Sequence, residues 1–586
     1  MRQWMVAAKK ADFYAIAEKF HVDPVVARII RNREVIGEKN IRIYLGGNLS
    51  DLSDPHQMKD MDRLVEILAQ KIRKQVRIRI IGDYDVDGVT SSHLFLTALR
   101  RVGAKVDVVI PHRIQDGYGL SLHLLQQAKE DGVDTILTCD NGIAAIDEIA
   151  WAKAQKMTVL VTDHHAVPFE EHEGRRTEKK SLADAVVNPH QQDCGYPYKE
   201  LCGAGVAWNV IRVLYENYDM DKREAEDLLD FVAMATVCDV MSLTGENRIL
   251  VKEGLKRIRH TKNIGLQALM QACNVQPENI SAYHFGYVLG PCVNATGRLD
   301  TARHALRLFE TGQETEAEEI ARDLVDLNQE RKELTLQGVE MAKKLCEEGG
   351  YENDPVLVLF LPDVHESIAG LIAGRIREMY NRPVFVLTRG EEGVKGSGRS
   401  TENYSMYENM CGCAELFTKF GGHPMAAGLS LPEENVEKFR RKINENCPLT
   451  VEEVCPDIHI DMAMPVGYAS TELVHQFALL EPFGKDNPSP LFADRNLSIS
   501  RMWLIGKNRN VLRMSVLSEY GQPVPVIFFG DVETLFAYFT EKFGQKEVEN
   551  ALHGRKNRIL FSMVYTAKID FYQGNENLQL EMKYYR

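Results

Sequence analysis

The sequence predicts an α/β protein with three parts: a doubly wound parallel-sheet domain, a long helix leading to a second α/β domain, and a C-terminal β-barrel of the OB type. Three patterns predict it. Strand-like and helix-like segments alternate between residues 56 and 260, the order that builds a parallel sheet covered by helices. One amphipathic pattern runs from Thr315 to Glu347, and at about 1.5 Å per residue such a helix spans roughly 50 Å. Beyond residue 500, short β-rich runs separated by turns take over, as in a small barrel.

The elements follow in order. Residues 1–55 read as a polar helical segment, with Asp23-Pro24 as an N-cap and first-turn proline; no chemistry is assigned to it. The first α/β domain covers 56–260. Its strands are expected at Val76–Ile81, Val106–Ile110, Thr135–Thr138 and Thr158–Val161, with helices at Val89–Leu99, Leu120–Ala128, Ala144–Ala154 and Leu228–Thr236. Residues 261–350 link the domains through the long helix. The second α/β domain, 351–454, opens with strand Val356–Phe360, helix Ser367–Met379 and strand Val384–Leu387. The last domain, 455–586, carries barrel strands at Trp503–Ile505, Val511–Val516, Val524–Phe529, Ile559–Tyr565 and Leu578–Tyr584.

A chain of 586 residues, 44% hydrophobic and 26% charged, is ordinary for a soluble multidomain protein. No apolar run approaches a membrane span, and the N-terminus lacks a signal-peptide core. Eleven cysteines without a disulfide rhythm point to a reducing, cytoplasmic compartment, and Cys411-Gly412-Cys413 has the wrong spacing for a zinc knuckle. The net charge of −14 leaves a nucleic-acid partner open, because local potential rather than net charge decides such binding.

The chemistry centres on Ile81-Gly82-Asp83-Tyr84-Asp85-Val86-Asp87-Gly88. Three carboxylates at alternate positions sit between a strand and a helix, at the sheet edge where open α/β folds bind ligands. Like charges so close repel unless a cation neutralises them, and all-oxygen ligation suits Mg²⁺ or Mn²⁺. A calcium hand is excluded because Val89 onward is apolar helix where its closing Glu belongs. The later strands end as pointedly, in Cys139-Asp140-Asn141-Gly142 and in Asp163-His164-His165, and a helix delivers Asp239. Each alone is explained by a helix cap or a turn. The topology brings them to one edge, so Asp85, Asp87, Asp140, His164 and Asp239 are expected to converge on a two-metal cluster.

These four motifs resemble the signature of the DHH phosphoesterase superfamily, whose third motif names it. The resemblance implies Mn²⁺- or Mg²⁺-dependent phosphodiester hydrolysis with two ions. Asp85, Asp87, Asp140, His164 and Asp239 would be ligands and Asp83 a ligand or its support, while His165 would contact the phosphate or move a proton. Asp85, Asp140, His164 and His165 would carry the catalysis.

Three glycine-rich stretches suit phosphate recognition. Gly290-Pro291-Cys292-Val293-Asn294-Ala295-Thr296-Gly297-Arg298 reads as a loop in which small residues allow close approach and Arg298 clamps an anion. Lys395-Gly396-Ser397-Gly398-Arg399 and Gly421-Gly422-His423 expose backbone N–H groups beside polar donors. Both resemble the DHH-associated domain that faces the catalytic lobe. Trp503, Lys507, Arg509, Arg513, Phe528 and Phe529 interleave rings and bases as a strand-binding face would.

The full order of parts resembles the superfamily's 5′→3′ exonuclease branch, specific for single-stranded DNA and placed in DNA repair and recombination. That implies a 5′-phosphate held by Arg113, Arg298, Ser397 and Arg399, with Asn294, Gly396, Gly422 and His423 as further substrate contacts. A helicase and a single-strand binding protein are the candidate partners, and a monomer is the default. Two positions depart from that pattern: Cys292 stands where an Arg is expected, and Lys485-Asp486-Asn487 replaces a more glycine-rich run. The competing readings are a phosphodiesterase for short oligonucleotides or cyclic dinucleotides and a non-catalytic DNA-binding scaffold. The barrel and the length weigh against the first, and the intact carboxylates against the second.

Overall fold

A computed structural model describes residues 3–113, 116, 119–172, 175–299, 301–351, 353–390, 393–506, 510–572 and 574–586. Residues 114, 115, 117 and 118, next to Arg113, and Lys507 and Arg509 of the barrel lie outside that range. The chain divides into two compact units: Leu52–Pro456, and Gln3–Asp51 together with Asp457–Arg586.

In the first unit, β-branched runs form the sheet and each leads into a helix. Strand β1 (Arg77–Ile81) feeds helix α1 (Val86–Arg101), and β2 (Lys105–Val109) precedes α2 (Leu122–Glu130). Then β3 (Thr135–Cys139) leads to α3 (Ile146–Ala154), and β4 (Thr158–Thr162) to the edge strand β5 (Ala185–Val187). The sheet order is β2-β1-β3-β4-β5, parallel throughout. Its order reverses beside β1, so the crevice for a ligand opens at the carboxyl ends of β1 and β3. Helices α4 (Gly203–Asn217) and α5 (Leu229–Cys238), both almost wholly buried, pack on α1 and on each other, and α4 also packs on the sheet.

Phe285–Leu289 forms a π-helical turn that continues into α6 (Gly290–Leu299). Residues 290–298 are therefore a helix and not the expected loop. Gly290, Asn294 and Gly297 recur at helical spacing, and Pro291 occupies the second position of that turn without ending the helix. The small residues serve close packing rather than turning: a Cβ on Gly290 would collide with the Cys238 thiol, and one on Gly297 would stand 2.5 Å from the Tyr84 carbonyl oxygen. Cys292 is buried against Cys273 (Sγ–Sγ 3.8 Å) and accepts from Asn328 Nδ2, so position 292 belongs to the interior.

The long helix α7 (Glu314–Glu348) covers α6 and reaches the second lobe. There β6 (Leu357–Phe360), α8 (Glu366–Tyr380), β7 (Val384–Gly390), β8 (Gly393–Arg399), β9 (Lys419–His423) and β10 (Ala426–Leu431) build a sheet ordered β9-β10-β8-β7-β6. Only β6 and β7 pair in parallel.

The second unit is a closed barrel. Strands β11 (Phe492–Ile505), β12 (Val511–Leu517), β13 (Pro523–Phe528), β14 (Leu560–Tyr572) and β15 (Asn575–Tyr585) pair in the order β11-β12-β13-β15-β14, and β14 returns to β11. The N-terminal segment belongs to this unit: Arg33 pairs with Asp461 at 2.7 Å, and the Tyr44 hydroxyl donates to Asn487 Oδ1. Asn487 in turn donates to the carbonyls of Leu480 and Pro482, so the Lys485-Asp486-Asn487 run closes a local turn. Phe528 is buried in the barrel core, whereas Phe529 is exposed and Trp503 lies between the guanidiniums of Arg501 and Arg513. Alternation along the strand decides which rings face outward.

Candidate metal centre and the cleft beside it

The turn after β1 is built so tightly that glycine is required. A Cβ on Gly88 would stand 2.5 Å from the backbone N and O of Asp83. Asp85 caps α1, its Oδ1 accepting from Gly88 N at 3.0 Å. Asp87 points the other way and accepts from Gly203 N (2.6 Å) and Ala204 N (2.7 Å), the first free donors of α4. Gly203 admits that approach, because a Cβ there would meet Asp140 Cβ at 2.6 Å.

The other motifs are fixed in the same manner. Asp140 adopts a left-handed backbone (φ 61°), and Asn141 Nδ2 donates to the Ile81 and Cys139 carbonyls, tying the ends of β1 and β3 together. Asp163 is a positioning group. Its oxygens accept from the backbone N–H groups of Ile143, His164 and His165, and Oδ1 lies 2.8 Å from His165 Nδ1. His164 Nε2 stands 3.0 Å from Asp140 Oδ1 and 3.7 Å from both Asp87 Oδ2 and Asp239 Oδ2. Asp239 comes from the C-terminal end of α5.

The six expected metal ligands are thereby gathered, with His165 beside them. Their ligand atoms form three sets, each within 4.8 Å: Asp83–Asp85–Asp140, Asp87–His164–Asp239 and Asp140–His164–His165. Burial first, and then the neighbouring carboxylates, pushes the Asp83, Asp85 and Asp140 carboxyls up. Burial pushes the His164 imidazolium down. Asp83 Oδ1 is buried without a hydrogen-bond partner. A cluster of buried oxygens that repel one another, with one imidazole, fits hard divalent cations such as Mn²⁺ or Mg²⁺. His165 behaves differently: burial opposes its charge, but the Asp163 carboxylate and the charges of Asp239 and Asp87 outweigh that and raise it to about 9.

Helix α6 braces this centre. Asn294 Oδ1 accepts from Val86 N at 3.1 Å, Gly297 lies on the Tyr84 carbonyl, and Arg298 Nη1 donates to the Ser367 carbonyl at 2.6 Å. Asn294, expected at the substrate, supports the carboxylate turn instead.

A cleft of about 410 Å³ opens between this turn and the second lobe, lined by Tyr84 and Arg113 on one side and by Ser367, Lys395, Ser397, Lys419 and Gly421 on the other. The Arg113 guanidinium lies over the Tyr84 ring at 4.9 Å. Burial and then the Arg113 charge depress Arg298, to about 10, and Arg399. Among the described residues no carboxylate pairs with Arg113, Arg298 or Arg399, and the Arg113 charge acts on both of the others, so the three are near enough to suit one anion.

In β8 the polar residues Lys395, Ser397 and Arg399 alternate with Gly396 and Gly398, which are buried. A Cβ on Gly396 would strike Leu387, and one on Gly398 would strike Met406 and come within 2.7 Å of Phe385. Because β8 is paired on both edges, its N–H groups serve the sheet. The expectation that these glycines expose backbone donors is corrected: side chains supply them. Gly421 and Gly428 sit opposite each other in the β9–β10 pair, with open space before them, whereas Gly422 and His423 are exposed at the hairpin end and do not line the cleft. Tyr84, Lys419 and Gly203 went unread in the sequence; only Tyr84, inside the acidic motif, carried a signal.

Family comparisons agree with this layout. Residues 77–236 match the model of the DHH family N-terminal domain, 353–447 that of the DHHA1 domain and 460–584 that of the RecJ OB domain. The chain is 32% identical over 582 residues to the single-stranded-DNA-specific exonuclease RecJ of Haemophilus influenzae, covering 96% of both chains. To the RecJ of Bacillus subtilis it is 33% identical over 512 residues, which are 87% of this chain and 63% of that one. The crystal structure of Thermus thermophilus RecJ with Mn²⁺ superposes with a TM-score of 0.81 at 25% identity, covering 100% of this chain and 79% of that one. A crystal structure of exonuclease RecJ bound to manganese, 32% identical, covers 66% of this chain and 94% of its own with a TM-score of 0.56. With the three domain matches in this order and about a third of its residues identical to a RecJ over nearly the whole of both chains, the chain belongs to the RecJ family.

Proposed function

We propose that this chain is a metal-dependent exonuclease that removes nucleotides from the 5′ end of single-stranded DNA. The observation that carries the reading is the adjacency of two sites: a buried carboxylate–imidazole cluster and, beside it, a cleft lined by Arg113, whose charge also acts on Arg298 and Arg399, with no carboxylate paired to any of the three among the described residues. Asp83, Asp85, Asp87, Asp140, His164 and Asp239 would hold two Mn²⁺ or Mg²⁺ ions. When bound, such ions activate a water and neutralise charge on the scissile phosphate.

The chain's own residues do the rest. Arg113, Arg298, Arg399 and Ser397 hold the terminal phosphate, which fixes polarity by binding only a chain end. Asp163 fixes His165 through Nδ1, leaving Nε2 to donate to a phosphate oxygen. The same contact with the Asp163 carboxylate favours the imidazolium form of His165. Helix α6 sets the spacing between anion site and metal turn. In the barrel, Trp503 between two arginines and the exposed Phe529 offer stacking faces to the strand. Eleven free cysteines accord with a reducing, cytoplasmic setting, and no described helix is long and apolar enough to cross a membrane. A helicase and a single-strand binding protein remain the proposed partners.

Asp140→Ala tests the reading. With Mn²⁺ and a 5′-phosphorylated, 3′-labelled single strand, the native chain should shorten the strand from its 5′ end, and chelator should stop it. The variant should lose cleavage on the order of a thousandfold while still binding the strand. Cleavage of a dinucleotide alone would move the chain to the small-substrate branch, and binding without cleavage under any divalent ion would make it a scaffold.

A further inference from the structure

Two tyrosines have no role in the site described so far. Tyr283 and Tyr287 are 62% and 71% exposed, and their rings stack with centroids 5.0 Å apart and planes inclined by 23°. They flank the start of the π-helical turn Phe285–Leu289, a form of helix found frequently at functional sites. Neither hydroxyl has a hydrogen-bond partner among the described residues. A lone exposed ring is ordinary, but two rings pre-stacked in water form a ready π-surface.

The turn is fastened to the metal centre. Cys238 Sγ donates to the Phe285 carbonyl at 3.3 Å, Gly286 lies against Val237, and Gly290 lies on the Cys238 thiol. Cys238 immediately precedes Asp239, and Val240, just beyond, is also exposed. Helix α6 then acts as a ruler about 15 Å long. Its C-terminal end carries Arg298 of the anion site, its middle holds Val86 of the acidic turn through Asn294, and its N-terminal end lies against the Asp239-bearing end of α5. A strand with its 5′ phosphate at Arg298 and its first internal phosphate at the carboxylates would follow the line of α6 toward that helix's N-terminal end. The tyrosine pair stands at that end.

We propose that Tyr283 and Tyr287 form a base-stacking platform for the uncut strand a few nucleotides downstream of the scissile bond. The inference rests on the single-strand exonuclease reading. Stacking is indifferent to base identity, as an enzyme that degrades any sequence requires, and is worth about 1–3 kcal/mol per base.

The test uses the full chain and 5′-phosphorylated single strands carrying 2-aminopurine at successive positions, bound in chelator so that nothing is cut. Native protein should change the fluorescence most at positions a few nucleotides from the 5′ end. Tyr283→Ala/Tyr287→Ala should abolish that change, and Tyr283→Phe/Tyr287→Phe should restore it. With Mn²⁺ present, the alanine pair should raise KM for a long strand by roughly tenfold, leaving kcat and the hydrolysis of a 5′-phosphorylated dinucleotide unchanged. A chain that shortens the strand with the native KM and native fluorescence after the alanine substitutions overturns the platform. A native chain that neither binds nor shortens the strand overturns the exonuclease reading and the platform with it.

Discussion

The acidic turn after β1 and strand β8 share a sequence device, polar residues at alternate positions with glycine among or beside them, yet glycine does different work in the two. In the turn, Gly88 lets one peptide fold over another so that three carboxylates crowd together. In β8, Gly396 and Gly398 make room on the hidden face for Leu387, Phe385 and Met406, while Lys395 and Ser397 line the cleft and Arg399 shares their face. The turn spends backbone freedom to create electrostatic crowding. The strand uses missing side chains to seat a regular sheet beneath its ligands. Helix α6 combines the two uses, since Gly297 is a packing residue whose contact is the functional turn itself.

That difference orders three substitutions by effect. Gly297→Ala should be the most damaging to chemistry. Its Cβ would stand 2.5 Å from the Tyr84 carbonyl oxygen, a backbone atom that moves only with the turn. A displacement near an ångström costs on the order of a hundredfold in rate, read as kcat on a single strand. Binding of the 5′ end should persist, and an unchanged kcat would show that α6 does not brace the turn. Gly398→Ala should act on stability alone. Overpacking against Phe385 and Met406 costs about 1–3 kcal/mol, visible as a lowered Tm, with kcat preserved below the transition. Loss of activity without loss of Tm would mean that the cleft face of β8 had moved.

The same contrast explains what the sequence revealed. The fold was legible because β-branched runs alternate with helical patterns, and the metal residues were legible because each strand ends in a charged or imidazole-bearing turn. Topology brings such ends together whatever the details of the loops. The 290–298 segment was misread because glycine and proline signal turns in isolation; the helical spacing of Gly290, Asn294 and Gly297 was the stronger clue. The direction in which a glycine lacks its Cβ could not be read at all, since it depends on which neighbours the sheet places behind it. Asp163 shows the opposite limit: it lies inside the most recognisable motif, yet three of its hydrogen bonds orient the histidines and the fourth holds Ile143, so it is no part of the metal cluster.

Ser397 gives the smallest and most discriminating prediction. Its hydroxyl lines the cleft from the polar face of β8, close to Gly370 of α8, and Val386 and Gly428 pair with its backbone. Ser397→Ala therefore removes one donor and leaves the sheet intact. A single hydrogen bond to a charged group is worth about 1.5 kcal/mol or more, partly replaced here by the arginines. KM for a 5′-phosphorylated strand should rise roughly fivefold, with kcat and Tm unchanged. The same strand with a 5′-hydroxyl end should show no difference between the native chain and the variant. If both ends suffer equally, Ser397 shapes the cleft rather than grips the phosphate, and the polar face of β8 would be as structural as its glycine face.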